Sequence, residues 1–387
     1  MPRYLQQADN IGLAMRILWV ADKIGYGDRL HGVGAYLKYV IPALPENSVV
    51  PIVLRCNESL QALLADAGVD LLVPKHRVGD PRTLYWLLET VQNENIDIMH
   101  LHGYGASTFG RIVAMMARKP VIIHQHDSTS PAPVYGRAAD YLLRNCTHRL
   151  IAVSESVAEY SIRTRSLDSS IVRVIPNPAP SVAPLCDADI QSWRSQLGIP
   201  DGTRVIGSIT RFDPVKGTRY LIQALAELVK MIRPVVLVLF GDGNERPQLE
   251  GLVKELDLQE HVRFVGFQPN ASRYLAAMDC FALPSLNEGL PFALLESLTS
   301  GTPAVVSGVG GIPEFLRHEE SALLVPPGDP SALARELYRL LTDELLADRI
   351  SSCGQAVSRQ LGLERHVDKL IGIYNEALSG ADRCQVN

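Results

Sequence analysis

The chain has 387 residues, more than one hydrophobic core usually organises, so two domains are expected. With 47% apolar and 20% charged residues it is not a disordered chain, and no run approaches the ~18 apolar residues that cross a bilayer. The net charge of −5 is split: residues 1–178 carry 18 Lys+Arg against 16 Asp+Glu, and residues 179–387 carry 19 against 26. A basic excess of +2 reads as an ordinary solvated surface, and no nucleic-acid partner is assigned.

The opening stretch, residues 1–15, lacks a basic start followed by an apolar run and does not read as a signal peptide. Short apolar runs then alternate with helical patterns. The strand candidates of the first half are 16–21, 49–54, 96–102, 120–126, 149–154 and 171–178, with helices expected over 81–94, 107–118 and 134–144. Residues 176–189 hold four prolines and no apolar period, which marks a linker. The same alternation restarts at 204–211, 235–243, 261–267, 280–285, 303–308 and 322–329, and from about Leu333 onward the tail reads as helical. Continuous apolar strands separated by helices indicate parallel sheets covered on both faces. The fold class is therefore α/β, with two doubly wound Rossmann-like domains facing each other across a cleft that is expected to hold the chemistry. Six scattered cysteines without a C-x-x-C pair read as reduced thiols, which fits a cytoplasmic protein.

Taken in chain order, "GYGDRLHGVGAYLKY" (25–39) is glycine-rich ahead of a helix, but it does not complete G-x-G-x-x-G, because Leu37 stands at the third position after Gly32 and Gly34. His124 and His126 end a strand on the same side, with His102 on the same rim. The H-x-H pair shows no obvious third ligand, so satisfied structural histidines are the default and no metal is assigned. Asp187 and Asp189 read as a helix start with Asp as cap. "RFDPVKG" (211–217) places Arg211 and Lys216 at a strand's carboxyl end before a helix, where cations and helix dipole together suit a diphosphate. In "NEGLPFALLESL" (287–298), Gly289 and Pro291 fit a turn and a helix start. Glu288 lies just ahead of that helix and Glu296 inside it; carboxylates there could accept sugar and ribose hydroxyls.

Together, "NEGLPFALLESLTSGTPAVVSGVGGIPEFL", "RFDPVKG", "FGDGNERPQLEGLVKELDLQEHVRFVGFQPN" and "AVSESV…VIPNP" resemble the motifs of retaining glycosyltransferases of family 4, which have the GT-B fold. The resemblance runs from about Met15 to Gly380 and is stronger in the second half. It implies an acceptor-binding domain over 1–178, a nucleotide-sugar-binding domain over 179–360, and a C-terminal helical segment over 361–387 that packs back on the first domain. It implies a hexosyltransferase that needs neither metal nor cofactor, with Arg211 and Lys216 on the donor diphosphate, Glu288 on the transferred sugar and Glu296 on the ribose. Gly289, Leu290, Pro291 and Phe292 would line the donor, Gly34 would sit near its phosphates, and His126 matches the family's histidine–aspartate position beside the sugar. The loop reads "HGVGAY" where family members often have two adjacent glycines before an acidic residue. The implied partners are a nucleoside-diphosphate sugar and a glycan or lipid-linked acceptor, in polysaccharide or lipopolysaccharide assembly. Arg137, Arg144, Arg149, Arg163 and Arg165 are candidates for peripheral contact at the inner face of a membrane. The competing readings are a dehydrogenase, which the incomplete glycine fingerprint disfavours, a GT-B nucleotide-sugar epimerase, and a non-catalytic partner subunit.

Overall fold

The computed structural model describes residues 15–128 and 134–380, so the opening stretch considered for a leader lies largely outside the described residues, as does Cys384. The chain divides into two compact units, Met1–Pro178 with Leu363–Asn387, and Ala179–Gly362. Among the described residues, no helix is long and apolar enough to cross a membrane.

The first unit is built on a parallel sheet of β1 (Ile17–Lys23), β2 (Val49–Arg55), β3 (Ile98–His102), β4 (Val121–Gln125), β5 (Arg149–Ala152) and β6 (Val172–Val174). Their order is β2-β1-β3-β4-β5-β6. The second unit repeats the plan with β7 (Arg204–Ile209), β8 (Val235–Phe240), β9 (Val262–Gly266), β10 (Cys280–Leu283), β11 (Ala304–Ser307) and β12 (Leu323–Val325). These lie in the order β9-β8-β7-β10-β11-β12. Both orders are doubly wound. Central strands are apolar without alternation because helices cover both faces: every residue of β8 is buried, as are all five of β3. All twelve apolar runs read from the sequence are strands. A small antiparallel ribbon, Gly25–Tyr26 with Arg29–Leu30, was not anticipated, because two residues per strand carry no period.

Four helices bear on the polar groups of the two units: α1 (Gly32–Val40), α2 (Thr218–Leu228), α3 (Phe292–Ser300) and α4 (Leu363–Ser379). In α4 the buried residues are His366, Val367, Leu370, Ile371, Ile373, Tyr374 and Ala377, a stripe recurring every three to four positions. That stripe docks on the first unit. Trp19 Nε1 donates to Tyr374 Oη at 2.9 Å, and Glu376 takes Arg149 at 3.0 Å and Arg173 at 3.1 Å. His366 Nδ1 lies 2.8 Å from the Pro176 carbonyl and its Nε2 lies 2.7 Å from Tyr36 Oη. A carbonyl only accepts, so Nδ1 carries the proton and Tyr36 donates to Nε2.

Two expectations need correction here. The helix Asp187–Gln196 starts where the acidic pair predicted, but Cys186 occupies the cap position and no side chain caps it. Of the arginines proposed for a membrane surface, Arg165 is buried against Asp140 and Gln125. Asp140 also binds Arg111, the largest charged side chain of the core, which leaves one carboxylate between two guanidinium groups. Arg149 is committed to Glu376. Arg137 and Arg163 are exposed.

Candidate active site

In the second sheet the strand order reverses between β7 and β10, and ligands in such sheets bind beyond the carboxyl ends of the strands at that point. The loops leaving those two strands carry the charged residues of the "RFDPVKG" and "NEGLPF" stretches. In the first loop Asp213 caps the turn Pro214–Lys216, its Oδ1 accepting from the Val215 amide at 3.3 Å while Oδ2 takes Arg211 Nη2 at 3.0 Å. Gly217 then turns the chain into α2 with φ +66°, and a Cβ there would fall 2.1 Å from the Pro284 carbonyl oxygen, so only glycine fits. The Leu286 amide donates to the Val215 carbonyl at 2.7 Å, which straps the two loops together.

That strap brings Lys216 to Glu288. Lys216 Nζ lies 2.7 Å and 2.9 Å from the two carboxylate oxygens, and Ser285 Oγ donates to Oε1 at 2.7 Å. Glu288 is only 7% exposed, so its charge is held by these partners. The glycine pair after β11 explains itself at the same place: Gly310 has φ +54°, and a Cβ there would overlap the Glu288 carbonyl oxygen at 1.8 Å. The following Gly311 amide donates to that oxygen at 3.3 Å. The backbone of Glu288 is thus clamped from one side by glycines and its side chain from the other by Lys216 and Ser285.

Helix α3 begins at Phe292, with Pro291 as its N-cap residue rather than its first helical one. Within Leu290–Phe292 only Leu290 and Phe292 have amide hydrogens, because proline has none, so the expected row of donors is shorter by one. Gly289 and Leu290 are buried, and Glu296 is half-buried inside the helix, flanked by the buried Leu295 and Ser297. Sequence reasoning grouped Arg211 with Lys216 and Glu288 with Glu296. The structure instead pairs Lys216 with Glu288 and Arg211 with Asp213. Ser285 and Asp213 were missed, although both stand within three residues of a residue that was named.

In the first unit, Gly34 lies in the first turn of α1, where a Cβ would meet the Ile24 carbonyl at 2.4 Å and Leu30 Cδ2 at 2.6 Å. Its lack of a side chain lets α1 pack against the end of β1. His31 caps that helix, its Nδ1 accepting from the Val33 amide at 3.2 Å. His126 follows β4, stacked on His124 with ring centroids 4.2 Å apart and bonded through Nε2 to His102 Nδ1 at 3.0 Å. Burial, with His31 and His366 adding to it, lowers His126 to about 3, so it is neutral near pH 7. Two further histidines stand beside this H-x-H pair. Registry between β3 and β4 sets His102 beside His124, and His100 lies two residues back on the same face.

Comparison with known proteins agrees with this architecture. Residues 30–180 match the family model described as Glycosyltransferase Family 4, and residues 189–357 match Glycosyl transferases group 1. The UDP-Gal:alpha-D-GlcNAc-diphosphoundecaprenol alpha-1,3-galactosyltransferase of Escherichia coli is 27% identical over 349 residues, covering 85% of this chain and 89% of the relative. The lipopolysaccharide core biosynthesis glycosyltransferase LpsD of Rhizobium meliloti is 34% identical over 203 residues, covering 52% and 55%. Among solved structures, Anabaena Alr3699/HepE in complex with UDP-glucose superimposes with a TM-score of 0.82 at 23% identity, covering 93% of this chain and 99% of that one. With its two halves matched by glycosyltransferase models, and its fold shared over nearly its whole length with that solved structure, the chain is a glycosyltransferase of the GT-B fold.

Proposed function

We propose that this protein is a metal-independent, retaining hexosyltransferase of glycosyltransferase family 4. It moves a sugar from a nucleoside diphosphate to a glycan or lipid-linked acceptor in polysaccharide or lipopolysaccharide assembly. The observation that carries the reading is the Lys216–Glu288 pair at the point where the second sheet reverses its strand order. Without donor, Lys216 neutralises Glu288. When a diphosphate arrives beside the N-terminus of α2, its charge competes for Lys216 and Arg211, and Glu288 is released to accept hydroxyl hydrogens from the sugar. Glu296 is assigned to the ribose, Gly289, Leu290, Pro291 and Phe292 to the donor's surroundings, Gly34 to the phosphates and His126 to the sugar. A neutral His126 can donate or accept one hydrogen bond without repelling a cationic transition state.

In the proposed reaction the bond between anomeric carbon and diphosphate oxygen breaks while the acceptor oxygen bonds to the same face. The acceptor's proton passes to the departing phosphate oxygen. Charge growing on that leaving group is stabilised by Lys216, Arg211 and the dipole of α2, groups already in place before reaction. The E. coli and R. meliloti relatives named above support a surface-glycan acceptor. Arg137 and Arg163, exposed on the first unit, and the half-buried Arg144 are the remaining candidates for contact with the inner face of a membrane. The test is turnover of UDP-, GDP- and ADP-sugars by the wild type, with the product anomer read by NMR. Retention with one donor class is expected. Inversion, or epimerised sugar formed without acceptor, would overturn the reading.

A further inference from the structure

The first unit contains a group of histidines of which the proposed transfer reaction uses only His126. Two H-x-H pairs end the adjacent strands β3 and β4, and registry brings His100, His102, His124 and His126 to one face. His100, His102 and His124 are at most 1% exposed. Five of the eight ring nitrogens in this group are buried and have no hydrogen-bond partner: Nε2 of His100, Nε2 of His102, both nitrogens of His124, and Nδ1 of His126. Packed imidazoles alone do not explain this. A neutral imidazole carries one donor and one acceptor, and a wholly buried ring with neither satisfied, such as His124, is unfavourable unless something binds it.

One ring nitrogen from each of His100, His102 and His124 lies within 4.8 Å of the other two. We infer that these three histidines form a binding site for a zinc-class transition-metal ion in the interior of the first unit. The donor set selects the ion. It contains three neutral imidazoles and no carboxylate, which suits zinc or cobalt and not magnesium or calcium. The supporting contacts are also in place. His100 Nδ1 lies 2.7 Å from Tyr374 Oη and His102 Nδ1 lies 3.0 Å from His126 Nε2, so in each ring one nitrogen is held while Nε2 is left as the ligand atom. Ligand bonds of about 2.0–2.1 Å would draw the rings together by roughly an ångström. The ion would tie β3 to β4, fix His100 against Tyr374 of α4, and set the tautomer of His126 through His102.

The site does not depend on the transferase reading and is tested without turnover. Chelator-stripped full-length protein is loaded with Zn2+ or Co2+, gel-filtered, and analysed for bound metal and for the visible spectrum of cobalt. One ion per chain is expected, with a tetrahedral cobalt spectrum lacking the thiolate charge-transfer band that the exposed Cys186 would give. His124→Gln and His100→Gln should each weaken binding by at least roughly 100-fold, and Tyr374→Phe, which removes the contact to His100 and also the acceptor of Trp19 Nε1, by about 10-fold. Zinc should raise the unfolding midpoint of the wild type and not that of the histidine variants. Absence of stoichiometric metal in the wild type would overturn the proposal whether or not the variants fold. So would a thiolate spectrum, or metal retained unchanged in folded His124→Gln.

Discussion

The two units share a fold plan and treat their polar groups in opposite ways. In the second unit, four charged side chains of the candidate site lie in loops beyond the sheet and are paired with one another, Lys216 with Glu288 and Arg211 with Asp213. In the first unit, histidines and arginines are carried into the sheet and the helices against it, where His100, Arg111 and Asp140 are essentially inaccessible. Loop pairs can exchange partners when a ligand supplies a stronger charge, whereas interior groups are locked by their surroundings. Changes in the second unit should therefore alter binding and rate, and changes in the first should alter stability.

The largest effect should come from Asp140. Its replacement by Ala strands Arg111 and Arg165 in the interior and should cost about 3–5 kcal/mol in chemical unfolding. Nucleotide binding by protein that remains folded should be little changed. A small loss would mean that the two arginines find other partners, and the contrast between units would weaken.

Lys216→Ala and Arg211→Ala should each lower turnover by about 10²–10³, with the circular dichroism spectrum retained. Normal turnover in both variants would remove the assignment.

Acid should act on the first unit. His366 is held at about 4 and His126 at about 3, against an ordinary 6.5, mainly by burial, and His100, His102 and His124 are lowered as well. Between those values the unfolded chain binds more protons than the folded one. Stability is thus full above about pH 6.5 and is lost as pH falls toward 4. His366 alone accounts for on the order of 3 kcal/mol across that window. Tyr36, Tyr374, His31 and Lys369 are other titratable groups near this cluster, and burial raises both tyrosines out of the acid range. Denaturation midpoints measured from pH 7 to pH 4 should fall, and His366→Gln should flatten the curve. A flat wild-type curve would contradict neutral burial.

Gly310→Ala should cost about 1–3 kcal/mol through its positive φ and its approach to the Glu288 carbonyl, with turnover falling because Glu288 shifts. Unchanged turnover would show that the clamp does not position Glu288.

Much of the fold was legible in the sequence for a plain reason. Strands buried on both faces must be continuously apolar, and Val235–Phe240 or Ile98–His102 between helical patterns can hardly be read otherwise. Arg211, Lys216, Glu288 and Glu296 stand out as candidates by motif and position. Their partners were not. Lys216 meets Glu288 across 72 residues because Val215 and Leu286 exchange a backbone bond, which no local pattern encodes. His100 was passed over for the same reason: two H-x-H pairs become one cluster only when β3 and β4 are known to be neighbours in that register. Arg165 read as a surface cation because its partner, Asp140, is 25 residues away and equally buried. Pro291 and Cys186 show that helix starts are legible to within a residue, while the identity of the cap depends on backbone angles.

The central claim is that the Lys216–Glu288 pair is a diphosphate site waiting for its donor. The most direct test is calorimetric titration of UDP, GDP and ADP into the wild type and Lys216→Ala. One of the three should bind the wild type, and the variant should bind it about 10-fold or more weakly, the loss of one charge-assisted contact. Equal affinity in both proteins would contradict the claim.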